Sequence, residues 1–218
     1  MIKVLLVDDH DIVRLGVKRL LQDAKGIQVV GEARTGEEAI QLTKELSPDV
    51  VIMDLQMPGI GGLEATRKML RHNPMLRILT LTVSNDEPYP SRLMQAGAAG
   101  YITKGCNAEE LIKAVRTLHA GERYLSSDIA QQLALKQFSP EDSSPLDVLS
   151  ERELQIMLMI TQGQKVKQIS EKLCLSVKTI NSYRYRIFEK LKIKSDVELT
   201  LLAMRFGLLE KQPSEESK

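Results

Sequence analysis

"VIMDLQMPGIGG", residues 51–62, is the stretch on which the fold turns. Val51, Ile52 and Met53 are apolar without alternation, as in a strand covered on both faces. The run stops at an acid, Asp54, and four residues later the chain turns at Pro58 and Gly59. A carboxylate at the tip of a buried strand must meet something there.

Similar short apolar runs stand on either side. "KVLLV" (3–7), "IQVVGEA" (27–33), "DVVIMD" (49–54), "RILTLTV" (77–83) and "AGYIT" (99–103) read as five strands. Helical patterns separate them. In residues 11–21 the apolar positions 12, 13, 16, 17, 20 and 21 form a helical stripe. Thr35, with Glu38 at the capping-box position, opens the next helix, and 62–71, 89–96 and 107–120 supply three more. Five strand–helix units in about 120 residues predict an α/β fold, a doubly wound parallel five-stranded sheet with right-handed crossovers.

Residues 121–146 break the rhythm: one short helical pattern, then a Ser-, Pro- and acid-rich stretch that reads as a linker. From 147 to 209 the chain is helical throughout. Ser150 and Glu153 make a capping box before a helix ending at Gly163, and "VKQISEKL" (166–173) is a short second helix. Ser176 caps a third helix over 177–192, and Ser195 with Glu198 opens a fourth that ends at Gly207. This predicts a separate all-α four-helix domain with a disordered polar tail, 210–218.

With 43% hydrophobic and 27% charged residues, the 218-residue chain has an ordinary globular composition. No apolar run approaches the roughly 20 residues of a membrane span. Acids follow the first strand where a signal peptide would stay apolar, so a cytoplasmic location with no membrane association is expected. Cys106 and Cys174 stand 68 positions apart and read as reduced thiols; His10, His72 and His119 are scattered and suggest no metal cluster. Net charge is +1, unevenly spread: residues 1–144 hold 17 basic and 19 acidic side chains, 145–218 hold 13 and 10, and 165–194 hold nine and two. That asymmetry points to a nucleic-acid surface in the second half.

In open α/β sheets, ligands bind beyond the carboxyl ends of the strands. The first strand ends in Asp8 and Asp9, the third in Asp54 and the fourth in Thr82, and the fifth is followed by Lys104. Three convergent carboxylates repel one another unless a cation joins them. An incomplete, oxygen-rich site suits Mg²⁺. A carboxylate beside that metal can attack phosphorus and form an aspartyl phosphate, with Mg²⁺ and Lys104 neutralising the phosphoryl oxygens. Asp11 alone could be explained as a helix cap, but capping does not account for five positions on four strands.

Residues 166–187 have helix–turn–helix logic: two short helices, a tight link and a cap. In the second, Ile180, Ile187 and Leu191 form the inward stripe, leaving Lys178, Asn181, Ser182, Tyr185 and Glu189 mostly on the other side. Lys178, Thr179, Asn181, Ser182 and Tyr185 are candidates to reach base edges in the major groove of double-stranded DNA. Lys165, Lys167, Arg184, Arg186 and Lys190 read as phosphate contacts.

"LLVDDH", "VIMDLQMPGIGG", "LTVS" and "GYITK" resemble the receiver domain of two-component response regulators, over residues 1–120. "LSERELQIMLMI", the basic helices and "DVELTLLAMRFGLL" resemble the LuxR-type helix-turn-helix domain, over 147–209. The whole chain is similar to NarL/FixJ-family regulators, and most to the GacA/UvrY type. The resemblance implies a flavodoxin-like strand order, 2-1-3-4-5. It implies Asp54 as phosphoacceptor, with Asp8, Asp9 and the Gln56 carbonyl as further Mg²⁺ ligands, Lys104 on the phosphoryl group, and Thr82 and Tyr101 as a switch pair whose ring follows the hydroxyl inward. It implies a sensor histidine kinase as donor, and a homodimer formed through the receiver and the last helix. It also implies transcriptional targets that include small regulatory RNA genes. Three positions depart from the family's habit. Val83 is larger than usual beside Thr82 and would narrow the entry to Asp54. Ser170 stands where Ala is common, and Tyr183 where His is common. An enzyme of the flavodoxin or phosphatase kind would need a Gly-rich phosphate loop after the first strand, which is lacking, so no enzyme is expected. A receiver acting only as an interaction module would leave the basic segment without a purpose.

Overall fold

The computed structural model describes residues 1–55, 57–82, 93–94, 96–137 and 145–205. The expected helix at 89–96 falls largely outside these residues. Val83, Gln56, Gly207 and the tail fall wholly outside them. The chain divides into two compact units, one running to Glu141 and the other starting at Asp142.

The first unit is built on parallel strands β1 (Ile2–Val7), β2 (Ile27–Ala33), β3 (Val50–Asp54), β4 (Arg77–Thr82) and β5 (Gly100–Thr103). Their order is β2-β1-β3-β4-β5, as expected, but a sixth strand, β6 (Tyr124–Leu125), extends the sheet beyond β5. The five-stranded expectation is therefore corrected to six. Tyr124 N donates to Ala99 O at 3.1 Å and Ser126 N to Tyr101 O at 3.2 Å, so the chain leaving the receiver satisfies the exposed edge of β5. The helix that follows, Ser127–Gln137, also belongs to this unit.

The near-continuous apolar strands are buried on both faces. Val4, Leu6, Ile52, Leu79 and Ile102 share one core cluster, and Leu5, Val7, Val51, Met53 and Ile78 share the other. Helices α1 (Asp11–Gln22), α2 (Gly36–Leu46), α3 (Gly61–His72) and α4 (Ala108–His119) accompany the strands, and Ser127–Gln137 is α5. Thr35 caps α2 as predicted. Asp11 does not cap α1; the N-cap is His10, without a side-chain cap bond, and Asp11 binds arginines instead. The α1 stripe is also rotated from its expected place. Ile12, Gly16 and Leu20 face outward, while Leu21 and, unexpectedly, Arg14 are buried.

The second unit opens with a 3-10 turn (Pro145–Val148) and continues with α6 (Glu151–Thr161), α7 (Val166–Lys172), α8 (Val177–Leu191) and α9 (Asp196–Arg205). Both reciprocal bonds of the Ser150–Glu153 capping box are present. Ser176 accepts from Thr179 N at the start of α8, and Ser195 accepts from Glu198 N at the start of α9. Ile180 and Ile187 are fully buried, as their spacing predicts; Leu191 is half-buried, and Phe188 joins the core. Ser170 fits where Ala was expected and has a use: its Oγ donates to Leu175 O at 2.6 Å, closing the link between α7 and α8.

Candidate functional site

At the carboxyl edge of the sheet, Asp54 ends β3 and is 2% exposed. Lys104, just past β5, brings its Nζ 2.7 Å from Asp8 Oδ2 and 3.0 Å from Asp54 Oδ2. Burial works to lower the Lys104 pKa, but the Asp54 and Asp8 carboxylates outweigh it and hold the ammonium above its ordinary range. Carboxylate oxygens of Asp8, Asp9 and Asp54, with a ring nitrogen of His10, all lie within 4.8 Å of one another. His10 Nδ1 is 2.9 Å from Asp9 Oδ1, so this histidine joins a cluster that its isolation in the sequence concealed. Asp8 Oδ2 and Asp9 Oδ1 are buried oxygens, and each faces one nitrogen at ion-pair distance, Lys104 Nζ at 2.7 Å and His10 Nδ1 at 2.9 Å. Three carboxylates this close share one ammonium, and the negative charge left over favours a further cation. The carboxylate oxygens form a partial donor set of the kind Mg²⁺ takes when it keeps waters and phosphate oxygens, with His10 paired to Asp9 beside them, so the residues present fit that ion.

The chain around Asp54 is held in place by close approaches. Gly62 N donates to Leu55 O at 3.2 Å, and a Cβ on Gly62 would overlap the Asp54 carbonyl. Gly59 has φ +77° and lies against the Glu37 carboxylate, which accepts from Ile60 N at 3.1 Å. Glu37 thus fastens the turn that the opening sequence announced. Thr82 ends β4, with its side chain outside the description. Tyr101, expected to move inward, is already fully buried, in an apolar cluster with Leu55, Leu63, Leu93, Ala98 and Ile129 of α5.

In the second unit, α7 and α8 present the basic surface. Lys165, Lys167, Lys178, Ser182, Tyr185 and Arg186 are exposed, and Asn181 is half-exposed. Thr179 is half-exposed, and its hydroxyl lies 2.8 Å from Ser176 Oγ at the helix cap.

A family model described as "Response regulator receiver domain" matches residues 4–116, and one described as "Bacterial regulatory proteins, luxR family" matches 147–203. The chain belongs to the LuxR-type response regulators. It is 61% identical to the response regulator GacA of Pseudomonas aeruginosa over 211 residues, covering 96% of this chain and 99% of the relative. It is 59% identical to the response regulator UvrY of Escherichia coli over 209 residues, covering 95% and 96%. A solved RcsB–DNA complex is similar at TM-score 0.58 and 28% identity, over 93% of this chain and 98% of that one.

In this response regulator, two of the cations expected at DNA phosphates make ion pairs within the second unit. Arg184 forks onto Asp196 of α9 with bonds of 2.6 and 2.7 Å, and its guanidinium lies 5.1 Å from the centroid of the Phe188 ring. Lys190 Nζ is 2.6 Å from the nearly buried Glu153 carboxylate. Both tie α8 to other helices, a role that charge counting along one helix cannot reveal. Arg14, Glu37 and His10 also escaped the sequence reading. For Arg14 and Glu37 the signal is tertiary, since Glu32 and Ile60 lie 18 and 23 residues away; His10 meets its chain neighbours Asp8 and Asp9.

Proposed function

We propose that Asp54 is the phosphoacceptor of this response regulator and that a sensor histidine kinase supplies the phosphoryl group. In that reading an Asp54 carboxylate oxygen attacks phosphorus, the new P–O bond forms as the donor's P–N bond breaks, and the electron pair leaves on the donor imidazole. A bound Mg²⁺ supplies charge neutralisation of the phosphoryl oxygens, held by Asp8, Asp9, Asp54 and the Gln56 carbonyl. Lys104 neutralises the remaining charge, and Thr82 and Tyr101 form the switch pair. The observation that carries the reading is Lys104 drawn within 3.0 Å of the Asp8 and Asp54 carboxylates, with an oxygen of a third acid, Asp9, within 4.8 Å of theirs. The product is a stored signal rather than a turned-over substrate.

The division of labour follows the chain: a receiver to which β6 and α5 also belong, in place of a linker from 121, and a DNA-binding domain over 147–209. Lys178, Asn181, Ser182 and Tyr185 would read bases, while Lys165, Lys167 and Arg186 hold phosphates. Dimerisation through the last helix is supported by Val197, Leu201 and Met204, which are 69%, 60% and 48% exposed at helical spacing. On the receiver, Ile12 and Leu15 leave an apolar face of α1 open to a second copy. The described residues contain no helix long and apolar enough to cross a membrane, and a DNA-binding regulator fits the cytoplasm. The likeness to GacA and UvrY favours small regulatory RNA genes among the targets.

Asp54→Asn keeps the shape and removes the nucleophile and a metal charge. The variant should fold and take up no phosphate from acetyl phosphate with Mg²⁺; incorporation equal to wild type would remove the assignment.

A further inference from the structure

We infer that Arg14 is a positioning residue for the metal and phosphoryl site. Its side chain is 8% exposed although it sits on a surface helix. Each arm of the guanidinium is used on a different element. Nη1 donates to Asp8 O at 2.8 Å, Nε to Glu32 Oε2 of β2 at 3.1 Å, and Nη2 to Asp11 Oδ1 of α1 at 2.5 Å. Asp8 N in turn donates to Ala33 O at 3.1 Å. The peptide groups on both sides of the Asp8 Cα are therefore fixed, one by β2 and the other by Arg14, and so is the direction in which Asp8 projects its carboxylate. From there Oδ1 accepts from His10 N at 2.8 Å and Oδ2 faces Lys104.

Two outer cations keep the fork aligned: Lys18 on Glu32 at 2.5 Å and Arg34 on Asp11 at 3.0 Å. Arg14 acts through the Asp8 backbone and is placed on no carboxylate of the acid cluster. A lysine could not replace it, since one ammonium cannot satisfy three acceptors arrayed around a planar fork. Outer partners that aim metal ligands are worth about 10–100-fold in affinity.

The inference rests on the reading of the acid cluster as a Mg²⁺ site. The test uses the full-length chain with Mn²⁺ as probe, followed by the electron paramagnetic resonance of the free ion. Arg14→Lys should weaken Mn²⁺ binding about tenfold or more, and Glu32→Gln, which loosens the fork without removing it, about threefold. In phosphorylation by acetyl phosphate, Arg14→Lys should raise the half-saturating Mg²⁺ concentration by a similar factor, with the rate at saturating Mg²⁺ recovering to within about twofold. A merely structural arginine would lower the melting temperature and leave the Mn²⁺ constant alone. If wild type binds Mn²⁺ and the folded variants bind it within twofold, the positioning role is overturned. If Arg14→Lys does not fold, an unchanged constant in Glu32→Gln overturns it. Wild-type protein that binds no Mn²⁺ would overturn the metal-site reading itself.

Discussion

Replacing Lys190 by Met separates two roles for that residue. In the structure its ammonium sits 2.6 Å from Glu153 Oε2, whose side chain is 4% exposed. Removing one partner of a buried pair costs about 3–5 kcal/mol, and an exposed pair is worth about 0–1. Lys190 is itself 39% exposed, and Glu153 keeps bonds of 2.7 and 2.9 Å from Ser150 N and Oγ. The loss should thus be about 1–2 kcal/mol at pH 7, between those limits. Burial raises the Glu153 pKa, but Lys190 and Ser150 outweigh it and leave the group below its ordinary 4.5. A depressed carboxylate stabilises the fold above its unfolded pKa and loses that contribution as pH falls through the folded value. The gap between variant and wild type should be full at pH 7 and close well below pH 4.5. Hydrogen exchange of amides in α6 and α8 of the full-length protein measures it locally. A Lys190→Met protein of unchanged stability, with a DNA salt slope lowered by about one unit, would show that Lys190 serves a phosphate instead.

Gly62→Ala should displace Asp54 and abolish acetyl-phosphate labelling, because the new methyl overlaps the Asp54 carbonyl; labelling at the wild-type rate would contradict the close approach. Asn181→Ala and Ser182→Ala should each cost about 1–3 kcal/mol and relax preference at one base position, whereas Lys165→Ala and Lys167→Ala should weaken all sequences alike. Selection from randomised sites checks this, and an unchanged site order in the first pair would mean that another face reads the bases. Asp196→Asn should weaken binding to paired half-sites more than to a single one, because the Arg184 fork joins the reading helix to α9; equal loss on both would make Arg184 an ordinary DNA contact.

Much of the fold was legible because parallel strands buried on two faces are written as unbroken apolar runs, and because their last residues fall at one edge. Asp8, Asp9, Asp54 and Lys104 could be gathered from strand ends alone. β6 could not: two residues carry no period, and their pairing is dictated by the free edge of β5. The α1 stripe was misjudged for a related reason. Position 14 looks solvent-facing when arginine is assumed to be wet, yet Asp8 O, Asp11 and Glu32 satisfy its donors and let the side chain be buried there. The basic excess of the segment was legible, but the pairing of its individual charges was not, because Asp196 and Glu153 lie 12 and 37 residues from the cations they hold.

On the proposed function, phosphorylation of the receiver controls DNA binding by a dimer. Titrating the full-length regulator against genomic DNA fragments in a gel-shift assay, with and without acetyl phosphate and Mg²⁺, while sedimentation reports its dimer constant, tests this most directly. Phosphorylation should tighten both constants together, since a modification shifts an equilibrium only by favouring one state, and Asp54→Asn should respond in neither. A phosphorylated protein whose dimer constant and DNA affinity both equal those of the unmodified chain would contradict the account.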